Sequence, residues 1–430
     1  MSLTGRTPLL AALAIPFAAI WPSWFTMLAI ALVLLALILV DLALAGSVRR
    51  LVLQRSGDTA VRLGEGASVR IKVLNQGSRR ARGVLRDAWV PSAGAGPRTH
   101  ELNIAPREAA TVSTNLRPTR RGDRPADRIT VRLRGPLGLA ARQGTHVVPW
   151  TVRALPPFTS RKHLPSRLAM LREIEGRTEV MVRGQGTEFD SLREYVIGDD
   201  VRSIDWRATA RNSDVVVRTW RPERDRRVMI VLDTGRTSAA RVGQAPRLDA
   251  AMDASLLLTA IAARAGDHVE LLAFDRAVQA DVRGVDGAAL LPSFVNALAT
   301  LDAALVETDA RGLVRTIVQR RRQRSLVVLL TALEPSAMRE GLLLVIDELT
   351  SRHTVIIASV SDPRVGELAA MRGDIDGVYA AASASRAQLD RRALTELLVR
   401  KGVEVVEADP DAIAPALADR YLAMKAQGRL

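Results

Sequence analysis

Arg227-Val228-Met229-Ile230-Val231-Leu232-Asp233 places five consecutive apolar residues between an arginine and an aspartate. A strand with one solvated face alternates apolar and polar residues; an unbroken run of this length needs cover on both faces. Similar runs recur at 269–274, 326–330, 355–360 and 403–406. Between them lie stretches read as amphipathic helices, at 248–264, 288–301, 312–322, 337–351 and 387–400. Buried strands alternating with helices predict a doubly wound α/β domain with a mostly parallel sheet over 225–430.

Upstream the period changes. Segments such as Ser68-Val69-Arg70-Ile71-Lys72-Val73-Leu74 and Arg128-Ile129-Thr130-Val131-Arg132-Leu133-Arg134 alternate strictly and are separated by Gly, Pro and Asn. This predicts a β-sandwich over 51–157, its arginines on a solvated face. Arg121-Gly122-Asp123 is read as a turn within it. Residues 160–177 read as a polar, helix-compatible linker inside a connecting segment, 158–224.

The N-terminal 50 residues are of a third kind. No charged residue occurs from Thr7 to Val40, a run too long for one ordinary spanning helix. Pro16 and Trp21-Pro22-Ser23-Trp24 divide it, so a transmembrane helical hairpin is expected, with a single span after an interfacial segment as the alternative. Arg6 before the run and Arg49, Arg50 and Arg55 after it predict a membrane protein whose soluble domains face the cytoplasm.

Composition narrows the function classes. The 430 residues carry a net charge of +15, 48% hydrophobic content and no cysteine, which excludes disulfides and thiolate chemistry. Lysine occurs at positions 72, 162, 401 and 425 alone, so the basic charge is arginine; a genome-level bias toward Arg and Ala accounts for much of it, and attraction to anionic lipid at a bilayer surface is the alternative. With 3% aromatic residues there are few stacking platforms, and no nucleic acid partner is expected. No phosphate-binding Gly-x-x-x-x-Gly-Lys loop and no Gly-x-Ser-x-Gly elbow occurs, and the histidines are dispersed.

The ends of parallel strands are where such sheets bind ligands, which singles out Asp233-Thr234-Gly235-Arg236-Thr237-Ser238. A carboxylate followed by hydroxyls suits a hard cation, and it equally suits capping of the next helix. Before the domain, Glu188, Asp190, Arg193, Glu194, Tyr195, Asp199, Asp200, Arg202, Asp205 and Trp206 form a dense polar and aromatic run. Local ion pairs and caps are one reading of it, and a partner-binding surface is the other.

The stretches Gly184–Tyr195 and Gly198–Arg211, continuing through Val216–Arg224 to Asp233 and to Gly266–Phe274, resemble the bacterial family called domain of unknown function 58. Gly135-Pro136-Leu137-Gly138-Leu139 is similar to that family's β-domain. The resemblance implies a von Willebrand factor A-like module, two N-terminal membrane helices, and a role assisting a MoxR-type AAA+ ATPase in assembly or activation of other proteins, without catalytic activity of its own. It also implies a metal-ion-dependent adhesion site for Mg²⁺, onto which Asp233, Thr237 and Thr308 map. The chain departs from that pattern at Gly235, where a serine is expected, and at Ala332, where a second carboxylate is expected, with Glu334 two residues away. The resulting expectation is a membrane-anchored partner-binding adaptor. The alternatives are a cell-envelope hydrolase using Asp190, Asp200 or Asp233 as acid or base, and a passive scaffold with a degenerate metal site.

Overall fold

The structure is a computed structural model and describes residues 2–181, 188–197, 199–211, 214–221 and 226–430. Its contacts divide the chain into two compact units, Met1–Leu155 and Pro156–Leu430. The apolar helices group with the β-domain, and the segment before the α/β sheet groups with that sheet.

In the first unit a short strand β1 (Ser2–Leu3) leads into α1 (Arg6–Leu13), α2 (Ile15–Ile20) and α3 (Trp24–Leu44). Among the described residues α3 is the one helix long and apolar enough to cross a membrane; 21 residues at 1.5 Å per residue give about 31 Å. The 6–20 arm is shorter, and it stops where Pro22 follows and Ser23 caps α3 through the Phe25 N–H. Trp21 and Trp24 are 67% and 82% exposed at that bend.

The strands β2 (Leu51–Gly57), β3 (Ala60–Arg62), β4 (Ala67–Asn75), β5 (Ala81–Ala88), β6 (Thr99–Ile104), β7 (Ala109–Leu116), β8 (Gly122–Arg134) and β9 (Ala140–Leu155) follow. They form a three-stranded sheet, β2-β4-β7, and a larger one, β1-β9-β8-β5-β6, with β3 along β9. Ile71 and Val73 from the first sheet share a core with Leu85, Leu102, Ile129, Val131 and Leu133 from the second. The alternation read in β8 is therefore real: Ile129, Val131 and Leu133 point inward, and Arg128 and Arg134 remain exposed. The Arg121-Gly122-Asp123 turn opens β8, with Gly122 at φ +101° and Asp123 held in both oxygens by Arg153, at 2.7 and 3.1 Å. That guanidinium keeps the Asp123 carboxyl below its ordinary range.

One expected membrane flank is corrected. Arg55 is not a headgroup-facing charge: its side chain is enclosed in the sandwich, paired with Asp87, donating to the Ala126 carbonyl at 2.6 Å and lying over the Trp89 ring. Asp87 also accepts from Trp89 Nε1 at 2.6 Å and from the Thr114 hydroxyl at 3.1 Å, and Thr114 meets His100 at 3.0 Å. Arg49 and Arg50 are exposed, as expected of flanking charges.

In the second unit the expected linker is a helix, α4 (Leu164–Met181), docked by buried Leu171 and by an Arg167–Asp419 pair at 2.9 Å. The hairpin β10 (Glu188–Glu194) and β11 (Val216–Arg221) flanks a short helix α5 (Trp206–Thr209). Then come β12 (Arg227–Asp233), α6 (Arg236–Ala239), a minimal hairpin of β13 (Arg241–Val242) and β14 (Ala245–Pro246), and α7 (Arg247–Arg264). The chain continues through β15 (His268–Phe274), β16 (Val278–Val282), α8 (Leu290–Ala299), α9 (Ala310–Arg320) and β17 (Leu326–Leu330). It finishes with α10 (Pro335–Glu340), α11 (Ile346–Thr350), β18 (Thr354–Val360), α12 (Pro363–Ala369), α13 (Ile375–Arg400), β19 (Val403–Ala408) and α14 (Ile413–Ala426).

The sheet order is β16-β15-β12-β17-β18-β19, parallel except for β16 at the edge. Strand order reverses between β15-β12 and β12-β17, so β12 sits at the switch point of a doubly wound sheet. Met229 and Val231 face a core shared with α9, α11 and α13. The alternate residues Val228, Ile230 and Leu232 are equally buried, on the side where α7 and α14 pack. This accounts for the unbroken apolar run.

Three sequence expectations change here. Residues 248–264 are not an amphipathic surface helix: α7 is enclosed nearly all round, with Leu256, Leu257, Leu258 and Ile261 at 0% exposure, because α4, α8 and α14 cover its outer side. The single helix expected over 337–351 is two short ones, parted at Gly341, where a Cβ would lie 2.9 Å from the Ala337 carbonyl. The helix expected over 387–400 begins at Ile375, its first half exposed and Ala-rich and so without a helical apolar stripe.

Two buried histidines give the molecule a pH response. His100 and His353 are 9% and 3% exposed, and burial lowers both pKa values below the ordinary one. Neither ring nitrogen of His353 has a hydrogen-bond partner among the described residues. The unfolded chain takes up these protons near pH 6.5, while the folded chain resists until lower pH, so stability is full above about 6.5 and falls as the pH drops below it. Melting temperature is expected to decline between pH 7.5 and 5.5. His353→Phe, which has no proton to gain, is expected to flatten that decline; an unchanged slope would rule His353 out as a contributor.

Candidate binding site at the sheet edge

Strand β12 delivers Asp233 to the carboxyl edge of the sheet, 6% exposed. Its carboxylate is ringed by donors. Oδ1 accepts from the Gly235 N–H at 2.8 Å and from the Thr308 hydroxyl at 2.5 Å. Oδ2 accepts from the Thr331 hydroxyl at 2.6 Å and from Thr237 at 3.4 Å. A carboxylate has about four acceptor positions, and here each has a donor.

The loops carrying those donors are themselves pinned. Thr234 N–H donates to the Phe274 carbonyl at 3.0 Å, the Ala304 N–H donates to Thr234 at 2.7 Å, and the Arg236 N–H donates to Val306 at 2.8 Å. Next to them Asp275, 4% exposed, accepts from Gln279 Nε2 at 2.8 Å, from the Arg276 and Ala277 N–H groups and from the Thr234 hydroxyl at 3.3 Å. Burial works against its ionisation, but these donors prevail and hold its pKa below the ordinary value. Asp309 caps α9 through the Gly312 N–H at 3.0 Å.

Asp233, Thr237, Thr308 and Thr331 border a cavity of about 60 Å³. Its deeper wall is apolar: Val231, Leu313, Leu329, Met338 and Leu342 are all buried. At the rim Arg236 pairs with Glu307, both side chains more than half exposed. The cavity has room for ordered waters or the tip of a partner's side chain.

The three residues mapped onto an adhesion-type metal site are thus brought together. Sequence reasoning missed the fourth, Thr331; its signal was a hydroxyl directly after the apolar run 326–330. Gly235 also has a reason: a Cβ there would lie 2.1 Å from Thr308 Oγ1, so a side chain at 235 would displace the Thr308 hydroxyl from Asp233. Ala332 lines the cavity where a second carboxylate was expected, and Glu334 does not line it. Among the described residues no cluster of three or more His, Cys, Asp or Glu side chains is arranged for a metal ion. With one carboxylate, already saturated by donors, and the Arg236 guanidinium at the rim, these residues do not fit tight Mg²⁺ coordination.

The polar run before the domain resolves into local bonds. Arg193 pairs with Asp199 at 2.5 Å, and Asp199 accepts the Val196 N–H at 3.0 Å. Asp200 caps the turn at 201–203 through the Arg202 N–H at 2.9 Å, leaving Arg202 exposed. Asp205 caps α5 through the Arg207 and Ala208 N–H groups and pairs with Arg218 at 2.8 Å. The Ala208 N–H and Arg218 together hold the Asp205 carboxyl low; Arg193 does the same for Asp199. Tyr195 is half-buried, its N–H donating to Val215 at 2.7 Å. Trp206, Ile197 and Val201 are exposed, at 68%, 96% and 64%. Glu188 and Asp190 contribute backbone to β10; their side chains, and residues 184–187, lie outside the described residues.

An uncharacterized protein of Mycobacterium tuberculosis, Rv1480, is 25% identical over 201 residues, covering 44% of this chain. One from Mycobacterium bovis, Mb1516, matches to the same extent. The chain spans 59% of the length of these relatives. Among solved structures, a CARDB domain from Pyrococcus furiosus aligns at 18% identity and TM-score 0.19, covering 24% of this chain and 86% of that one. A PapD-like domain of human CEP192 aligns at 11% identity and TM-score 0.18, over 24% of this chain and 84% of its own. Residues 191–393, which contain the Asp233 edge, match the family described as "Protein of unknown function DUF58".

Proposed function

We propose that this protein is a membrane-tethered docking module whose von Willebrand factor A-like domain binds a partner at the Asp233 edge. The observation that carries this reading is the state of the carboxylate: four donors saturate Asp233 above an apolar-walled cavity, an arrangement that holds a fixed shape at the sheet edge. The strand order, with one antiparallel edge strand, supports the A-like assignment. A long apolar helix, preceded by a shorter apolar arm, supports anchoring. Arg6, Arg49 and Arg50 favour the cytoplasmic side for the soluble domains.

The partner is a MoxR-type AAA+ ATPase, the association implied by the family resemblance; the chain itself lacks a phosphate-binding loop, so the ATPase supplies the hydrolysis. Docking is independent of Mg²⁺ on this chain's side. The test is purification of the tagged full chain in detergent together with a co-expressed MoxR-type ATPase of the same organism. A stable complex is expected in at least one nucleotide state, and absence of the ATPase in all of them refutes the adaptor reading.

A further inference from the structure

Asp41, in the last turns of α3, is fully enclosed, and its carboxylate accepts the backbone N–H groups of Leu137, Leu139 and Ala140 at 2.7, 2.7 and 2.8 Å. The same loop is held from the other side: Thr7 donates its hydroxyl to the Leu139 carbonyl at 2.7 Å, and Ser2–Leu3 pair with Ala140–Ala141. Both ends of the apolar segment therefore leave the β-domain at one place. What surrounds that place is basic. Gly46, just past α3, lies against the Arg80 carbonyl; Arg50 packs beside Gly77; Arg6 lies against Gly138; and Arg134 pairs in register with Ala141.

Arg6, Arg49, Arg50, Arg79, Arg80 and Arg134 are all exposed. The Asp41 carboxylate at this end is enclosed and taken up by backbone donors. Leu3 and Leu137, 59% and 46% exposed, stand beside the helix exits with no apolar cover. Arginines from four separate segments around exposed leucines, at the foot of an apolar helix, match an anionic bilayer surface: guanidinium groups pair with phosphate while the leucines enter the headgroup layer.

We propose that this end of the β-domain is a docking surface for anionic phospholipid headgroups, with Arg79, Arg80 and Arg134 binding lipid phosphate and Leu3 and Leu137 seated in the interface. This rests on the anchoring reading above. The full chain is reconstituted in vesicles of phosphatidylcholine mixed with phosphatidylglycerol, washed with alkaline carbonate, then purified in detergent, and the lipid carried with it is quantified. The ratio of phosphatidylglycerol to phosphatidylcholine in the bound lipid is expected to exceed that of the bilayer by about tenfold or more, as several arginines near a charged surface supply. Combining Arg79→Gln, Arg80→Gln and Arg134→Gln should return the ratio to that of the bilayer while the melting temperature is kept. A wild-type chain that stays in the vesicles with no enrichment overturns the docking surface alone, as does a triple variant that keeps it. Release by carbonate overturns the anchor and the surface together.

Discussion

Asp233→Ala is expected to destabilise the α/β domain by about 3 kcal/mol and to abolish partner capture. The substitution removes one acceptor group and leaves three hydroxyls and the Gly235 N–H without it, in a cluster where Asp233 and Thr234 are 6% and 0% exposed. A buried donor stripped of its partner costs about 1–3 kcal/mol, and hydrogen bonds to a charged group are the stronger kind. The hydroxyls of Thr237, Thr308 and Thr331, which are half-buried, recover part of this by turning to water, which keeps the total below the simple sum. Asp233→Asn keeps the shape but turns one acceptor into a donor facing hydroxyls, so an intermediate loss follows. Denaturant unfolding checks both values. An alanine variant within about 0.5 kcal/mol of wild type would show that the carboxylate does not organise this edge. Millimolar Mg²⁺ is expected to leave the wild-type melting temperature unchanged, since a cation binding the folded state would raise it.

Asp87→Ala is expected to cost the β-domain about 3–5 kcal/mol, because it strands a buried arginine. Arg55 has 1% side-chain exposure, and burial already depresses its pKa against the opposing pull of Asp87. Without that carboxylate the guanidinium retains the Ala126 carbonyl and the Trp89 ring, while Trp89 Nε1 and the Thr114 hydroxyl lose an acceptor. Arg55→Met combined with Asp87→Leu removes both charges and should recover much of the loss, as replacement of a whole buried pair by apolar groups often does. Thermal unfolding of the wild type, Asp87→Ala and the double variant checks this. A double variant no more stable than Asp87→Ala would indicate that the pair specifies the sandwich in a way apolar packing cannot replace.

The sheet was legible because its signal is local. Five apolar residues from Val228 to Leu232 can be satisfied only between two layers, and the hydroxyls after Asp233 stand at fixed spacing. What escaped the sequence was set by distant partners. Thr331 joins Asp233 across 98 residues of chain, and nothing near Leu330 marks its hydroxyl as aimed there. Arg55 sits among the charges after the apolar run and resembles them in every local respect; its burial depends on Asp87, 32 residues on. Strand β16 was missed because it is a short sheet edge: Val278-Gln279-Ala280-Asp281-Val282 alternates over five residues only, and Val278, Gln279 and Asp281 are exposed, unlike the unbroken apolar runs that marked the other strands. The helix α7 looked amphipathic because Asp249, Asp253 and Arg264 punctuate it, yet Asp253 is turned inward to cap Ser160 and Thr159.

The pairing of Ser2–Leu3 with Ala140–Ala141 imposes an order on synthesis. Thr4 and Thr7 find their acceptors more than 130 residues further along, so when the ribosome has delivered the apolar segment, neither its leading residues nor Asp41 have anything to hold. The apolar segment must therefore settle without support from the β-domain, and the β-domain cannot complete its edge until β9 emerges and collects the waiting residues. Closure of that edge then fixes both ends of the apolar segment in one step, on one side of whatever it has entered. A ribosome stalled before residue 140 should leave a protein whose N-terminal residues are still open to protease, and release of the following strand should close them.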